Sequence, residues 1–349
     1  MTLTLHKPKE LPIGEKRSKF LAVPIILIGG LFFLIFFMVI SIIFGSTNIE
    51  LKTVWDAIFH YNSAITQHKV IWDLRMPRVV ASALVGACFA VSGALMQGMT
   101  RNPLADSGIL GLNAGAGFVL AVCSAFFPAL PFIYLIMYSF LGAGFGASIV
   151  YSISSFSKGP MSPVRLVLAG TGVSALLVSL SQGLAIYFQI GQDLAYWYAG
   201  GMAGINWLEL KIMFPWVACA LVAAIIISPS ITILSLGEDV AIGLGHRTKL
   251  VSILGIVIVL ILAGSAVSIV GSVGFVGLIV PHLTRYLVGV DYRRIIPCSA
   301  VLGGLLMVLA DLGSRTINPP FETPIGVIIA LIGIPFFLYL ARRKEQELQ

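Results

Sequence analysis

Charged residues are absent from seven long stretches of the chain: 20–49, 79–100, 107–157, 166–192, 212–237, 250–284 and 323–341. A helix that crosses a membrane needs about 20 apolar residues. A membrane β-barrel strand shows only about 10, in alternating pattern. The pattern therefore predicts spanning helices and excludes a barrel. The window 107–157 is long enough for two helices, and Phe127-Pro128-Ala129-Leu130-Pro131 divides it, because proline removes a donor and breaks a helix. In 250–284 the natural break is Gly271-Ser272-Val273-Gly274, which leaves a short second helix. Residues 295–314 add a helix whose only charge is Asp311. The prediction is ten spans: 20–45, 79–99, 107–127, 131–155, 166–190, 212–229, 250–270, 275–288, 296–314 and 324–341.

Composition agrees. Of the 349 residues, 58% are hydrophobic and 11% charged, and the mean hydropathy is +0.99. Soluble domains carry about 25% charged residues, and a soluble exterior this apolar would aggregate. Lipid is the solvent for most of the chain. Segment 20–45 exceeds the apolar core of a signal peptide, about 7–15 residues, so it stays as a helix. The domain reading is a basic tail over 1–19, one all-α membrane domain over 20–341 and a tail over 342–349.

Lysine and arginine set the orientation, because cytoplasmic loops carry the excess. With the N-terminus in the cytoplasm, ten spans return the C-terminus there. Sixteen of the 22 basic residues then lie inside. The six outside are Lys52, Lys69, Arg75, Arg78, Lys211 and Arg315. The net charge of +7 is mostly a topology signal. No clustered basic face points to nucleic acid.

Catalytic constellations are missing. Cys88, Cys123, Cys219 and Cys298 show no metal-ligand spacing and read as small buried hydrophobes. The five histidines form no H-E-x-x-H pair, and no Gly-Lys dipeptide offers a P-loop lysine. The expectation is no catalytic residue, no metal and no cofactor in this chain. The pairs Gly111/Gly115 and Gly142/Gly146 have the small-xxx-small spacing of close helix packing. Two polar interruptions, 100–106 and 271–274, each open a short span, and such breaks point to a transport pathway. The segment 235–247 is solvated and cytoplasmic in this topology. Its acids come first and its bases last, which suits the dipole of a short helix; a plain connecting loop is the alternative.

At this point the motifs resemble the permease subunits of ABC importers for iron-siderophores, haem and cobalamin. The resemblance rests on Arg75-Met76-Pro77-Arg78, Ser92 to Gly98 and Asn102-Pro103-Leu104-Ala105-Asp106. Leu236-Gly237-Glu238-Asp239 through Leu244-Gly245 carries it further, as do Gly274 to His282, Ala310-Asp311, Arg315 and Pro324-Ile325-Gly326-Val327. It implies a cobalamin-importer-like fold of ten helices and a second permease subunit, identical or homologous. It also implies two ATPase subunits that hold the ATP and Mg, and an extracytoplasmic binding protein. A bacterial plasma membrane supplies the lipid.

In the resembling permeases, arginines at Arg75, Arg78 and Arg315 receive acids of the binding protein. From the residues alone, Arg315 can pair with Asp311 one turn earlier, and Arg75 with Asp73 or with headgroups. Leu236, Gly237, Glu238, Asp239, Ala241, Leu244 and Gly245 resemble the helix that couples to the ATPase. Glu-Asp stands where many relatives carry two glutamates. Asn102 with Leu104, and Pro163 with Val164, resemble cytoplasmic gates. Proline and valine occupy positions where similar permeases carry small hydroxyl residues. Asp311 reads as half of a structural ion pair, and His282 and Arg285 as shaping the ATPase-facing surface. The cargo expected is a ferric siderophore, with haem or cobalamin behind it. An ion-coupled transporter would want midplane acids or histidines, and an intramembrane enzyme would want a facing nucleophile–base or metal-ligand pair. The spans display neither.

Overall fold

In the computed structural model, which describes residues 13–45, 49–156, 163–319 and 321–346, every predicted apolar segment is a helix, and shorter helices fill the polar stretches between them. In chain order these are α1 (Ile13–Ile43), α2 (Leu51–Phe59), α3 (Thr66–Lys69), α4 (Met76–Thr100), α5 (Leu112–Phe126), α6 (Phe132–Phe156) and α7 (Pro163–Tyr187). They continue as α8 (Gly191–Ala199), α9 (Trp207–Ser235), α10 (Glu238–Gly243), α11 (Thr248–Val270), α12 (Val276–Val288), α13 (Tyr292–Thr316) and α14 (Ile325–Gln346). Parts of the two predicted tails and the turn residues Met161 and Ser162 lie outside the described residues, as do the side chains of Pro163 and Val164.

Among the described residues, seven helical stretches are long and apolar enough to cross a membrane; α5, α12 and the apolar part of α14 are shorter. Two predicted boundaries are corrected. A π-helical turn, Val70–Arg75, joins α3 to α4, so one helical stretch runs from Thr66 to Thr100. Lys69, Asp73, Arg75 and Arg78 carry charge through its first turns, so the charge-free window begins only at Val79. At the other interruption, Ser107–Leu110 forms a 3-10 turn, and α5 starts only at Leu112. The start of α9 is a capping box: Asn206 Oδ1 accepts from the Leu208 amide (2.8 Å), and Glu209 Oε2 from the Asn206 amide (2.7 Å). That satisfies amides a helix start leaves open.

The bundle is built around α4. Its most apolar stretch is 83% buried, against 17% in α1 and 28% in α7. It is rich in alanine, glycine and serine, and α9, α11, α12 and α13 pack around it. A methyl group on Gly86 would fall on the Gly303 carbonyl of α13, and one on Gly303 on that of Gly86. The two small-xxx-small pairs also face each other: Gly115 of α5 lies against Gly142, and Gly111 against Gly146 of α6. Without a hydrophobic force between helices in lipid, close backbone approach is what holds them together.

Three cysteines are buried, but Cys219 is exposed on α9. This corrects the expectation that all four are interior. Trp216 and Val222 are exposed on the same helix, so Cys219 belongs to an outward apolar surface, where a thiol is tolerated as a small hydrophobe.

Candidate functional site

The residues singled out by sequence gather at opposite ends of α4. A 25-residue helix is about 37 Å long, which separates the two groups.

At the first end stand the three arginines. Arg75 and Arg315 are each only 6% exposed. Arg75 Nη1 donates to the carbonyls of Ile42 (2.6 Å) and Ile43 (2.9 Å), where α1 ends. It does not turn to Asp73. Arg315 Nη2 donates to the carbonyl of Ser41 (3.1 Å), to the Ser41 hydroxyl and to Asp311 Oδ2 (3.0 Å). The last carbonyls of a helix lack intrahelical partners, and two buried guanidinium groups supply them for α1. Asp311 is fully buried. Its second oxygen accepts from Arg78 Nε at 2.9 Å. Arg78 also donates from Nη1 and Nη2 to the two oxygens of Glu322, at 2.6 and 3.0 Å. The Arg78 side chain retains 11% exposure and Glu322 39%. Arg78 thus reaches an exposed partner, Glu322, at the surface. Glu322 escaped the sequence reading because it lies 244 positions away from its partner.

Between the ends, the two interruptions meet. Asn113 Nδ2, just after the first break, donates to Ser272 Oγ in the second at 3.1 Å. Asp106 Oδ1 occupies the space beside Gly277, where a side chain would need room. Gly271 has φ +78°, and a Cβ there would meet the Trp197 carbonyl at the end of α8. Phe275 holds φ +68° as it enters α12. The broken backbone is packed on protein, which is the condition for irregular chain at membrane depth.

At the second end, α10 projects from the bundle. Gly237, with φ +136°, turns the chain into it, and Gly245, with φ +79°, turns it out. Ala241 is buried and anchors the helix. Leu236, Val240, Ile242 and Leu244 are 65%, 48%, 56% and 62% exposed, and Glu238 and Asp239 are exposed beside them. Arg101, in the left-handed conformation (φ 52°), brings Nη1 to 3.9 Å from where a Cβ on Gly237 would lie. The Asn102 turn therefore begins next to α10. In it Asn102 Oδ1 accepts from the Leu104 amide at 3.0 Å and its carbonyl from the Ala105 amide at 3.1 Å. Arg285 departs from expectation. It turns inward, donating to Gln97 Oε1 (3.0 Å) and the Tyr292 hydroxyl (3.1 Å), and so ties α12 to α4 and α13. The His282 ring lies edge-on to Phe336 of α14, centroids 5.8 Å apart.

The chain is 52% identical, over 93% of its length and 84% of the relative's, to the iron(3+)-hydroxamate import system permease protein FhuB of Bacillus subtilis (strain 168). It is 43% identical to the iron-uptake system permease protein FeuB of the same organism, covering 93% of this chain and 97% of that one. Among solved structures, an inward-facing conformation of a "metal-chelate type ABC transporter" superposes with a TM-score of 0.80 at 29% identity, over 92% of this chain and 99% of that one. A family model matches residues 33–343, from the middle of α1 to within α14, and on that match the chain belongs to the FecCD transport family.

Proposed function

We propose that this chain is the membrane permease subunit of an ATP-driven importer for an iron chelate, of which a ferric siderophore of the hydroxamate class is the foremost candidate. The FecCD family and the apolar helices make it a multi-pass protein of the bacterial plasma membrane. Ten helices cross the bilayer, both termini are cytoplasmic, and two permease subunits enclose the pathway. Two ATPase subunits sit against the α10 end and supply ATP and Mg. An extracytoplasmic binding protein delivers the chelate at the arginine end.

One observation carries this reading: the segment Leu236 to Leu244, α10 with its two flanking leucines, presents four exposed apolar side chains and two acids, and within α10 Ala241 is the buried residue. A solvated loop has no use for such a surface, whereas an ATPase groove does. The charge asymmetry, with α10 on the side rich in lysine and arginine, supports the cytoplasmic placement. The cargo class rests on the relatives' names.

At the other end, Arg78 is the proposed contact for an acid of the binding protein, and Arg75 and Arg315 hold the ledge beneath it through α1. Docking then replaces Glu322 on Arg78 by a carboxylate of the partner, with the same bidentate geometry. Asn102 with Leu104, and Pro163 with Val164, are the proposed cytoplasmic gates. Because Arg101 lies beside Gly237 at the start of α10, motion of the coupling helix is proposed to reach the first gate through it.

Reconstitution tests the whole. Proteoliposomes holding the permease and its ATPase, given binding protein, should take up a ferric hydroxamate only with ATP, and that uptake should persist when an uncoupler is added. Uptake abolished by the uncoupler while ATP stays high would mean ion-coupled transport instead. Haem or cobalamin, offered through the same assay, tests the other cargoes.

A further inference from the structure

A groove of about 540 Å³ opens on the bundle surface between the π-helical turn ahead of α4 and the start of α9, lined by Tyr61, Trp72, Asp73, Trp207 and Lys211. Its rings are held in place. Trp72 Nε1 donates to the Ala57 carbonyl and Trp207 Nε1 to the Trp72 carbonyl, each at 2.6 Å. The two indoles lie 6.2 Å apart at 40°, and Tyr61 stands edge-on to Trp72 at 6.2 Å. With both indole N–H groups spent on backbone, the rings have only π surface left to offer. Asp73 and Lys211 are exposed at the rim, one acid against one base. The chain neighbours of these residues are apolar and exposed: Leu74 (58%), Leu208 (53%) and Ile212 (39%).

We propose that this groove binds the headgroup of an amine-bearing phospholipid. The ammonium lies against the aromatic faces and Asp73, the phosphate against Lys211, and the acyl chains over Leu74, Leu208 and Ile212. A cation is drawn to the face of tryptophan or tyrosine within about 6 Å. A site with one acid and one base matches a zwitterion better than an anion. The apolar flank continues the lipid-facing surface of the bundle, which a soluble ligand would not need. Tryptophan and tyrosine also concentrate where the bilayer meets water. The proposal rests on the chain spanning a membrane and is independent of the cargo.

The test uses the full chain with its ATPase in nanodiscs of equal phosphatidylethanolamine and phosphatidylglycerol, with retained lipids counted by native mass spectrometry. Wild type should retain phosphatidylethanolamine over phosphatidylglycerol by about fivefold (~1 kcal/mol). Asp73→Asn should bring that ratio to about one, and Lys211→Gln should reduce retention of both lipids. Ile28→Ala, on the outward face of α1, should change nothing. Equal retention by wild type, a preference for phosphatidylglycerol, or variants that behave like wild type would each overturn the proposal. If either variant fails to purify, wild type alone decides through tryptophan quenching by brominated lipids. Quenching by brominated phosphatidylethanolamine no stronger than by brominated phosphatidylglycerol overturns it; stronger quenching upholds it.

Discussion

Asp311 and Arg315, one helical turn apart on α13, form a buried ion pair at 3.0 Å, and Arg78 of α4 closes on the other carboxylate oxygen at 2.9 Å. A carboxylate with no exposed surface is tolerable because two guanidinium groups meet it.

Removing that carboxylate should be costly. Breaking a buried pair from one side costs about 3–5 kcal/mol, and Asp311→Ala leaves two arginines without their shared anion. The melting temperature of purified Asp311→Ala should fall by several degrees. Asp311→Asn keeps an acceptor and should fall less. A melting temperature equal to wild type in Asp311→Ala would show that the pair carries no stability.

Glu322 competes with any docking acid for Arg78. Glu322→Ala should therefore tighten binding-protein affinity by about fivefold, the weight of ~1 kcal/mol for a partly exposed pair. Arg78→Glu should abolish it. Isothermal titration of the binding protein onto the permease in nanodiscs reads both. Unchanged affinity in Arg78→Glu removes docking from this residue.

The contact of α4 with α13 leaves no room for a side chain. Gly86→Ala and Gly303→Ala should each destabilise by about 1–3 kcal/mol through overpacking, seen as lower yield of monodisperse protein on size exclusion. Gly172→Ala, with open space around it, should be neutral or slightly stabilising because it favours the helix.

Deleting Gly237–Leu244 should separate ATP hydrolysis from uptake. The expected outcome is loss of ATP-driven chelate transport in proteoliposomes with binding-protein affinity retained. Coupled transport that survives the deletion would assign α10 to a connecting role.

Much of the architecture was legible one residue at a time. A helix in lipid must be apolar over its own length, and charge-free windows are local, so each of the ten segments appears as a helix. The glycine spacing of α5 and α6 was equally visible, because i and i+4 share a face. The amphipathic α2 and the helical turns over 66–75 ahead of α4 were not, since Lys52, Asp56, Lys69 and Asp73 interrupt the charge-free pattern there.

The sequence by itself determined the class of molecule and pointed to Arg75, Arg78, Asp311 and Arg315, because composition, hydrophobic periodicity and local motifs are properties of the chain. Beyond the Asp311–Arg315 pair, which helix spacing already allowed, what those charges do was decided by tertiary structure. Arg75 caps α1 rather than pairing with Asp73, Arg78 finds Glu322, and the breaks at 101–111 and 271–275 join through Asn113 and Ser272. A buried charge is governed by whichever partner the fold brings within about 3 Å, and that distance is not written in sequence separation.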